Sequence, residues 1–202
     1  VTITGCVFPE NQKGNKCINN SQSKISNIYL DQIKPGDLIV ISNGHLQNKK
    51  FTLKKTEQYP WLKTEEAIQK LNKLNNIIKR KGGKLILMLP SPTFEQTIEE
   101  CIPHWFKKVP YQCEKSINSV RNEMSNSLQL IEKKLDTTIA IYDPIKSVCP
   151  NGICKMIENF GYGIKPLYVQ IDHFSGYAIR NYVSKDFLKF LIQNSLIIPS
   201  LS

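Results

Sequence analysis

A histidine near the C-terminus of the chain has the surroundings expected of a general base. It lies in the segment PLYVQIDHFSG, residues 166–176, where His173 follows an apolar run and precedes Ser175 and Gly176. An imidazole at the exit of a strand can accept a proton from a hydroxyl group, because its ordinary pKa lies close to neutral pH. The same residues fit a plain turn, with His173 hydrogen-bonded and Asp172 solvated. His173 and Asp172 are therefore the first candidates for chemistry.

Several motifs that define other enzyme classes are missing from the sequence. It contains neither the G-x-x-x-x-G-K-[ST] phosphate loop nor the G-x-G-x-x-G dinucleotide fingerprint. It also lacks the G-x-S-x-G nucleophile elbow and the H-E-x-x-H zinc motif. The sequence thus gives no support to a nucleotide-binding or zinc-protease function, and we expect neither cofactor nor metal.

The elements that must position His173 alternate between buried strands and amphipathic helices. Continuous apolar runs predict strands over 37–42, 84–89 and 137–142. Helical spacing of apolar residues predicts a helix from Thr64 to the basic and glycine residues at 79–83, another over 114–135, and a last one from a Ser184 cap to about Asn194. This α/β pattern predicts a parallel sheet with helices on both faces, whose ligands lie beyond the carboxyl ends of the strands. The informative strand exits are Asn43, Pro90–Thr93, Asp143 and 168–176.

The six cysteines fall into pairs of short separation. The simplest local pairing joins Cys6 to Cys17, Cys101 to Cys113 and Cys149 to Cys154, and such bridges indicate an oxidising compartment. The alternative is a zinc site that uses Cys101, His104 and Cys113, or the Cys149–Cys154 pair.

Length and charge narrow the class of protein further. The chain has 202 residues, 41% of them hydrophobic, which suits one globular domain. Its net charge of +10 comes almost wholly from scattered lysines, with arginine only at three positions, so we expect no nucleic-acid partner. No apolar run approaches the roughly 20 residues of a membrane span. The start at Val1, without a signal peptide, suggests the trailing part of a longer polypeptide.

Taken together, these segments resemble a known family. The sequence is similar to the SGNH hydrolase-like domain fused behind membrane acyltransferases of the type three family, which O-acetylate bacterial surface polysaccharides. The similarity is carried, in order, by Cys6-x-x-Pro9 with Cys17, Lys34–Ile41, Cys101–Phe106, Cys113–Ser116, Tyr142–Pro144 leading to Cys149–Cys154, and Pro166–Ser175.

The resemblance implies a flavodoxin-like, three-layer α/β fold of SGNH type, as one domain over 1–202. It also implies a Ser-His-Asp site in which His173 is the base and Asn43, after the Asp37–Ser42 strand, donates to the oxyanion. Asn43-Gly44 fits an ordinary turn equally well. The family's first strand and its Gly-Asp-Ser nucleophile block are expected upstream of Val1.

One position departs from the family pattern. The family's catalytic Asp lies three residues before the His, where this sequence has Gln170. Asp172 is adjacent to His173, and neighbouring side chains normally diverge, so it is a poor direct substitute. Three arrangements remain open: Asp172 swings in, a backbone carbonyl orients His173, or the site is weakened or inactive.

The resemblance implies a function at the periplasmic or extracellular face of the inner membrane. We expect a domain that transfers or hydrolyses a short acyl ester on a cell-surface glycan, beside a membrane acyltransferase domain upstream in the same chain. The alternative is an inactive accessory or glycan-binding domain of the same fold. A basic adhesion or nucleic-acid module is a third alternative, and only the net charge of +10 favours it.

Overall fold

The fold is centred on a parallel sheet. In this computed structural model, the described residues are 29–42, 64–103, 105–106, 111–160 and 163–197. The sheet has the order β1-β2-β4 and consists of β1 (Leu38–Ser42), β2 (Lys84–Met88) and β4 (Ala140–Tyr142). Both strand pairs are parallel, with Ile41 opposite Leu87 and Leu87 opposite Ile141. The three predicted strands are confirmed, although the third begins at Ala140 rather than at residue 137.

Two long helices lie beside each other next to this sheet. They are α1 (Thr64–Arg80), which carries acidic residues in its first turn and basic residues in its last, and α3 (Ile117–Lys134). Such charges oppose the helix dipole and stabilise both ends of α1. Asn75 of α1 donates to Asp136 Oδ2 at 3.1 Å and to Thr138 Oγ1 at 2.9 Å, in the turn between α3 and β4. Hydrogen bonds from the backbone and side chain of Thr138 hold the pKa of Asp136 below its ordinary value.

The predicted helix over 114–135 begins later than the sequence indicates. Glu114–Ser116 forms a short strand, β3, that pairs antiparallel with β5 (Ile153–Lys155). Ser116 is extended, and its side chain accepts a hydrogen bond from the Ser119 N–H at 3.1 Å. This N-cap starts α3 at Ile117, so the apolar periodicity placed the start three residues too early.

Further short elements connect the main ones. Two of them, β6 (Ile157–Phe160) and β7 (Gly163–Pro166), pair antiparallel. The short helices are α2 (Ile98–Cys101) and α4 (Ile145–Val148). The sequence patterns did not predict these elements, because three or four residues carry no measurable periodicity.

The C-terminal helical segment starts before its predicted cap. It runs through α5 (Gly176–Ala178), a π-helical turn (Ile179–Val183) and α6 (Ser184–Gln193). Ser184 is therefore interior and not a cap, because Val183 before it already has helical backbone angles. The cap is Ser175, whose side chain accepts from the Ala178 N–H at 3.0 Å.

The helix α6 packs against the last strand of the sheet through aromatic side chains. The ring of Tyr142 lies 4.8 Å from that of Phe187 and 5.2 Å from that of Phe190. The Tyr142 hydroxyl donates to Asp186 Oδ2 at 3.1 Å, and burial, with the nearby Asp186 carboxylate, raises the pKa of Tyr142. Other fully buried members of the core are Ile68, Leu71, Ile78, Leu85, Ile86, Leu87, Met124, Ile145 and Met156.

Two disulfides tie loops into this core. Cys101 is bonded to Cys113 with a Cα–Cα distance of 5.6 Å, and Cys149 is bonded to Cys154 with a distance of 4.1 Å. Both predicted pairs are confirmed, and the zinc alternative is wrong for these four cysteines. Cys6, Cys17 and His104 lie outside the described residues. Across the described ranges, no helix has the length and apolar character that a membrane span requires.

We expect the Cys101–Cys113 bridge to contribute more to stability than the other. Loop-closure entropy predicts that the Cys101→Ser/Cys113→Ser variant loses about 3 kcal/mol of unfolding free energy, because 12 residues separate the pair. The matched Cys149→Ser/Cys154→Ser variant opens a shorter loop and should lose about 2 kcal/mol. Urea unfolding of both variants measures the two losses of unfolding free energy. A larger loss for the Cys149→Ser/Cys154→Ser variant would contradict the argument.

Candidate functional site

His173 lies in a short loop that is closed by backbone pairing at its base. Tyr168 and Phe174 form an isolated antiparallel bridge, and the Val169 N–H donates to the His173 carbonyl at 2.9 Å. The sequence predicted an apolar strand directly before His173. The structure instead has the single Tyr168–Phe174 bridge there, preceded by β7. We refer to residues 169–173 as the histidine loop.

Within the histidine loop, Asp172 contacts His173 directly. Its Oδ1 lies 2.6 Å from Nδ1 of the imidazole. The expectation that these adjacent side chains diverge is wrong here, and the structure has the arrangement in which Asp172 swings in. If Asp172 is ionised and His173 is neutral, this contact requires a proton on Nδ1 and leaves Nε2 as the acceptor, because a carboxylate only accepts hydrogen bonds. The side chains are 60% exposed for His173 and 34% exposed for Asp172, so solvent reaches both groups.

Gln170, at the position of the family's Asp, takes no part in this contact. It is exposed, and within the described part of the chain its side chain makes no hydrogen bond. Among the described residues, the carboxylate in contact with His173 is that of the adjacent Asp172.

The loop after β2 holds the histidine loop from the side. The Phe94 N–H donates to the Ile171 carbonyl at 2.9 Å, and the Ser91 hydroxyl donates to the Asp172 carbonyl. Residues 91–94 thus fix the backbone on the N-terminal side of His173. This places the predicted strand exit at Pro90–Thr93 against the predicted histidine.

A partly buried ion pair supports that β2 loop in turn. The Lys115 ammonium donates to the Thr93 carbonyl at 2.8 Å and lies 2.8 Å from the carboxylate of Glu123 on α3. Sequence reasoning missed Ser91, Lys115 and Glu123. The Pro-Ser-Pro sequence at 90–92 was the one signal for Ser91, since it marks a loop where a strand ends.

The serine that follows the histidine has a structural role. Ser175 is buried; its hydroxyl donates to the Pro166 carbonyl at 2.5 Å and accepts from the Ala178 N–H. Its backbone N–H also donates to the Leu167 carbonyl at 2.8 Å. Ser175 thus fixes the start of α5 and is not placed as a nucleophile.

The strand exit at Asp143 is also structural. Its carboxylate pairs with Arg121 of α3 and accepts from the Ile145 N–H at 3.1 Å at the start of α4. The third predicted site residue, Asn43, directly follows β1 in the sequence but lies outside the described residues, as does His45. Among the residues that the structure describes, no group of three or more His, Cys, Asp or Glu side chains could hold a metal ion.

Tyr168 packs beneath the histidine loop and has an unusual hydroxyl. Its ring lies 4.9 Å from that of Phe94 and 5.3 Å from that of Phe174. Its Oη is buried and, within the described part of the chain, has no hydrogen-bond partner, and burial raises the pKa of Tyr168.

We therefore expect Tyr168→Phe to leave the unfolding free energy unchanged or to raise it by about 1 kcal/mol. A buried polar group without a partner costs free energy, and the substitution removes it without changing the shape of the ring. The matched Tyr142→Phe variant removes a hydroxyl bonded to Asp186 and should lose about 1 kcal/mol instead. Urea unfolding of both variants tests the difference, and a loss at Tyr168 would contradict it.

Together these features define an α/β domain with a parallel sheet. Among the described residues it has two disulfides and a loop in which Asp172 contacts His173. The chain belongs to the family described as "SGNH domain (fused to AT3 domains)", whose sequence model matches residues 1–185. The fold is similar to the periplasmic domain of a lipopolysaccharide acetyltransferase from Salmonella ser. Paratyphi A, with a TM-score of 0.52 and 14% sequence identity. That likeness covers 82% of this chain and 63% of the Salmonella domain, so the chain spans less than two thirds of it. No match was found among curated proteins.

Proposed function

We propose that the chain is the extracytoplasmic domain of a bacterial O-acyltransferase, which transfers or hydrolyses a short acyl ester on a cell-surface glycan. The family's fusion to AT3 domains supports a membrane acyltransferase partner in the same polypeptide. The periplasmic lipopolysaccharide acetyltransferase domain with a similar fold supports the location and the glycan substrate. The two disulfides fit an oxidising compartment.

The observation that carries this proposal is the 2.6 Å contact between Asp172 and His173. In the proposed reaction, His173 Nε2 takes the proton of a serine hydroxyl as the serine oxygen attacks the acyl carbonyl. Asp172 holds the imidazole and stabilises the imidazolium that forms. The tetrahedral intermediate collapses when His173 returns the proton to the leaving alkoxide. A glycan hydroxyl, for transfer, or water, for hydrolysis, then releases the acyl group by the same steps in reverse.

Two further groups complete the proposed machinery. We propose Asn43 as a donor to the developing oxyanion. The serine is expected in a Gly-Asp-Ser block upstream of Val1, within about 30 residues, the length of one βα unit.

The alternative is an accessory domain that binds glycan without catalysis. Gln170 favours it, because a neutral amide stands where the family has its carboxylate. Under this alternative, the Asp172–His173 contact is a turn feature, and replacing either residue leaves glycan binding unchanged.

The test is to sequence the DNA upstream of Val1, express the whole protein and measure hydrolysis of p-nitrophenyl acetate. We expect an upstream Gly-Asp-Ser block and a loss of about a thousandfold or more in kcat for His173→Ala. Lys165→Ala, at an exposed position on β7, is the control and should retain activity. A frame without that serine, or hydrolysis that is unchanged by His173→Ala, would contradict the proposal.

A further inference from the structure

An apolar cleft lies beside the base of the histidine loop. It has a volume of about 370 Å³ and is lined by four isoleucines, Pro166, Tyr168 and Val169. The Tyr168 hydroxyl is the one polar side-chain group among these lining residues. Pockets that bind small organic ligands typically measure about 300–1,000 Å³ and have mostly apolar walls, so this cleft has the size and lining of a ligand site.

Two walls of the cleft are tied to each other beneath it. The isoleucines lie on α2 with the residue after it, and on the β6–β7 pair, namely Ile98, Ile102, Ile157 and Ile164. Cys101 at the end of α2 is buried, and its Sγ lies 3.3 Å from Sδ of the buried Met156, which directly precedes β6. The Cys101–Cys113 disulfide holds the same end of α2. The cleft is therefore built on anchored elements, as preformed ligand pockets are.

The third side of the cleft belongs to the histidine loop itself. Val169, the first residue of that loop, lines the cleft and is exposed. The Tyr168–Phe174 bridge and the hydrogen bond from Val169 to the His173 carbonyl place Val169 directly opposite His173. Directly opposite residues of an antiparallel pair carry their side chains on the same face, with Cβ atoms about 4.5–5.5 Å apart. The cleft therefore begins next to the imidazole.

The lining favours an aliphatic chain over a sugar or a charged group. Among the described residues, no charged side chain lines the cleft, and burying a sugar hydroxyl or a charge there without a partner would cost free energy. An aliphatic chain gains free energy when it leaves water. A chain attached to a carbonyl at His173 can extend along Val169 into the cleft. An acetyl group, with a single methyl beyond its carbonyl, would leave most of the cleft empty.

We propose that this cleft binds the aliphatic chain of the transferred acyl group, so that the domain prefers a butyryl or hexanoyl group to an acetyl group. The inference rests on the proposed acyl chemistry for the position of the carbonyl at His173. Val169 contacts the first methylene groups, and the isoleucines of α2 and the β6–β7 pair surround the rest of the chain.

The first test compares two esters with the same leaving group on the whole protein. We expect kcat/KM for p-nitrophenyl hexanoate to exceed that for p-nitrophenyl acetate about tenfold, because the cleft removes the added methylene groups from water. Val169→Trp fills the mouth of the cleft and should lower this ratio about tenfold. Ile98→Trp, on the α2 wall, should also lower it. The ratio is the readout because damage to His173 lowers both rates alike. Leu188→Trp, at an exposed apolar position on α6 outside the lining, is the matched control and should keep the parent ratio.

The second test needs no catalysis. Saturation-transfer NMR of sodium hexanoate with the 202-residue chain should show contact at the terminal methyl group, and sodium acetate should show none. Val169→Trp should weaken hexanoate binding about tenfold, and Leu188→Trp should not.

The two tests separate the cleft from the acyl chemistry. Hexanoate binding that Val169→Trp weakens, without hydrolysis of either ester, would support the cleft and overturn the proposed acyl chemistry. Hydrolysis of both esters at equal kcat/KM, without hexanoate binding, would overturn the cleft and keep the chemistry. A cleft filled by another part of the chain would give this second result. Hexanoate binding that Val169→Trp leaves unchanged would also overturn the cleft, because the binding site would then lie elsewhere.

Discussion

Asp172→Asn is expected to lower kcat for ester hydrolysis by the intact protein about a thousandfold, with little change in KM. In the proposed mechanism, the asparagine removes the negative charge that stabilises the imidazolium, and its amide can also bond the wrong tautomer of His173. The loss should be smaller than for a fully buried triad, because the Asp172 side chain is 34% exposed and water supports part of the charge. Steady-state kinetics on p-nitrophenyl acetate measures kcat and KM separately.

A rescue experiment sharpens this prediction. Gln170→Asp restores a carboxylate at the family's position, so adding it to Asp172→Asn should recover part of the lost kcat. Asp31→Asn is the matched control, since Asp31 is an exposed carboxylate paired only with Lys81 among the described residues. Full activity of the Asp172→Asn protein would mean that a backbone carbonyl orients His173.

The longer elements of the fold were predictable because they are long enough to show a pattern. β1 and β2 are five-residue apolar runs that end in turn residues, and α1 shows both helical spacing and charged ends. β6 and β7 are neighbours in the sequence, but four residues each are too few to show a pattern. β3 and β5 have three residues each, and they pair with each other from distant parts of the chain. Their pairing depends on tertiary contacts, which a local pattern does not contain.

Part of the candidate site could be predicted from the sequence, but its geometry and the supporting pair Lys115 and Glu123 could not. The sequence indicates His173, the exit loop at Pro90–Thr93 and the unusual Gln170. The Asp172–His173 contact depends instead on the backbone of the histidine loop, which the Val169–His173 hydrogen bond closes. Neighbouring side chains diverge on a regular strand, and this tight loop brings them together.

Ser184 and Ser175 illustrate a similar limit. Both precede helical residues, so local sequence makes either a plausible cap. Ser175 is the cap because its hydroxyl also reaches the Pro166 carbonyl, a contact that ties the helix start to β7. Continuation of the helix through the π-helical turn then makes Ser184 an interior residue.

Glu123→Leu is expected to lower the unfolding free energy by about 2–3 kcal/mol. The side chains of Lys115 and Glu123 are 15% and 21% exposed, so removing the carboxylate leaves a largely desolvated ammonium without its counter-charge. The pair formed by Lys155 and Glu114 has the same 2.8 Å separation, but its side chains are 44% and 48% exposed. Glu114→Leu is therefore the matched control and should change stability by less than about 1 kcal/mol. Urea unfolding of the two variants compares two ion pairs that have the same N–O distance but differ in burial. Equal losses of unfolding free energy would contradict the argument.

The double variant Lys115→Met/Glu123→Leu separates stability from positioning. Removing both charges together should recover most of the lost stability, because no unpaired ion remains. It does not restore the hydrogen bond from Lys115 to the Thr93 carbonyl, which supports the loop that holds Ile171 and Asp172. We therefore expect the double variant to unfold like the parent protein and yet to show reduced kcat at unchanged KM. Recovery of both stability and kcat would mean that the β2 loop holds the histidine loop without Lys115.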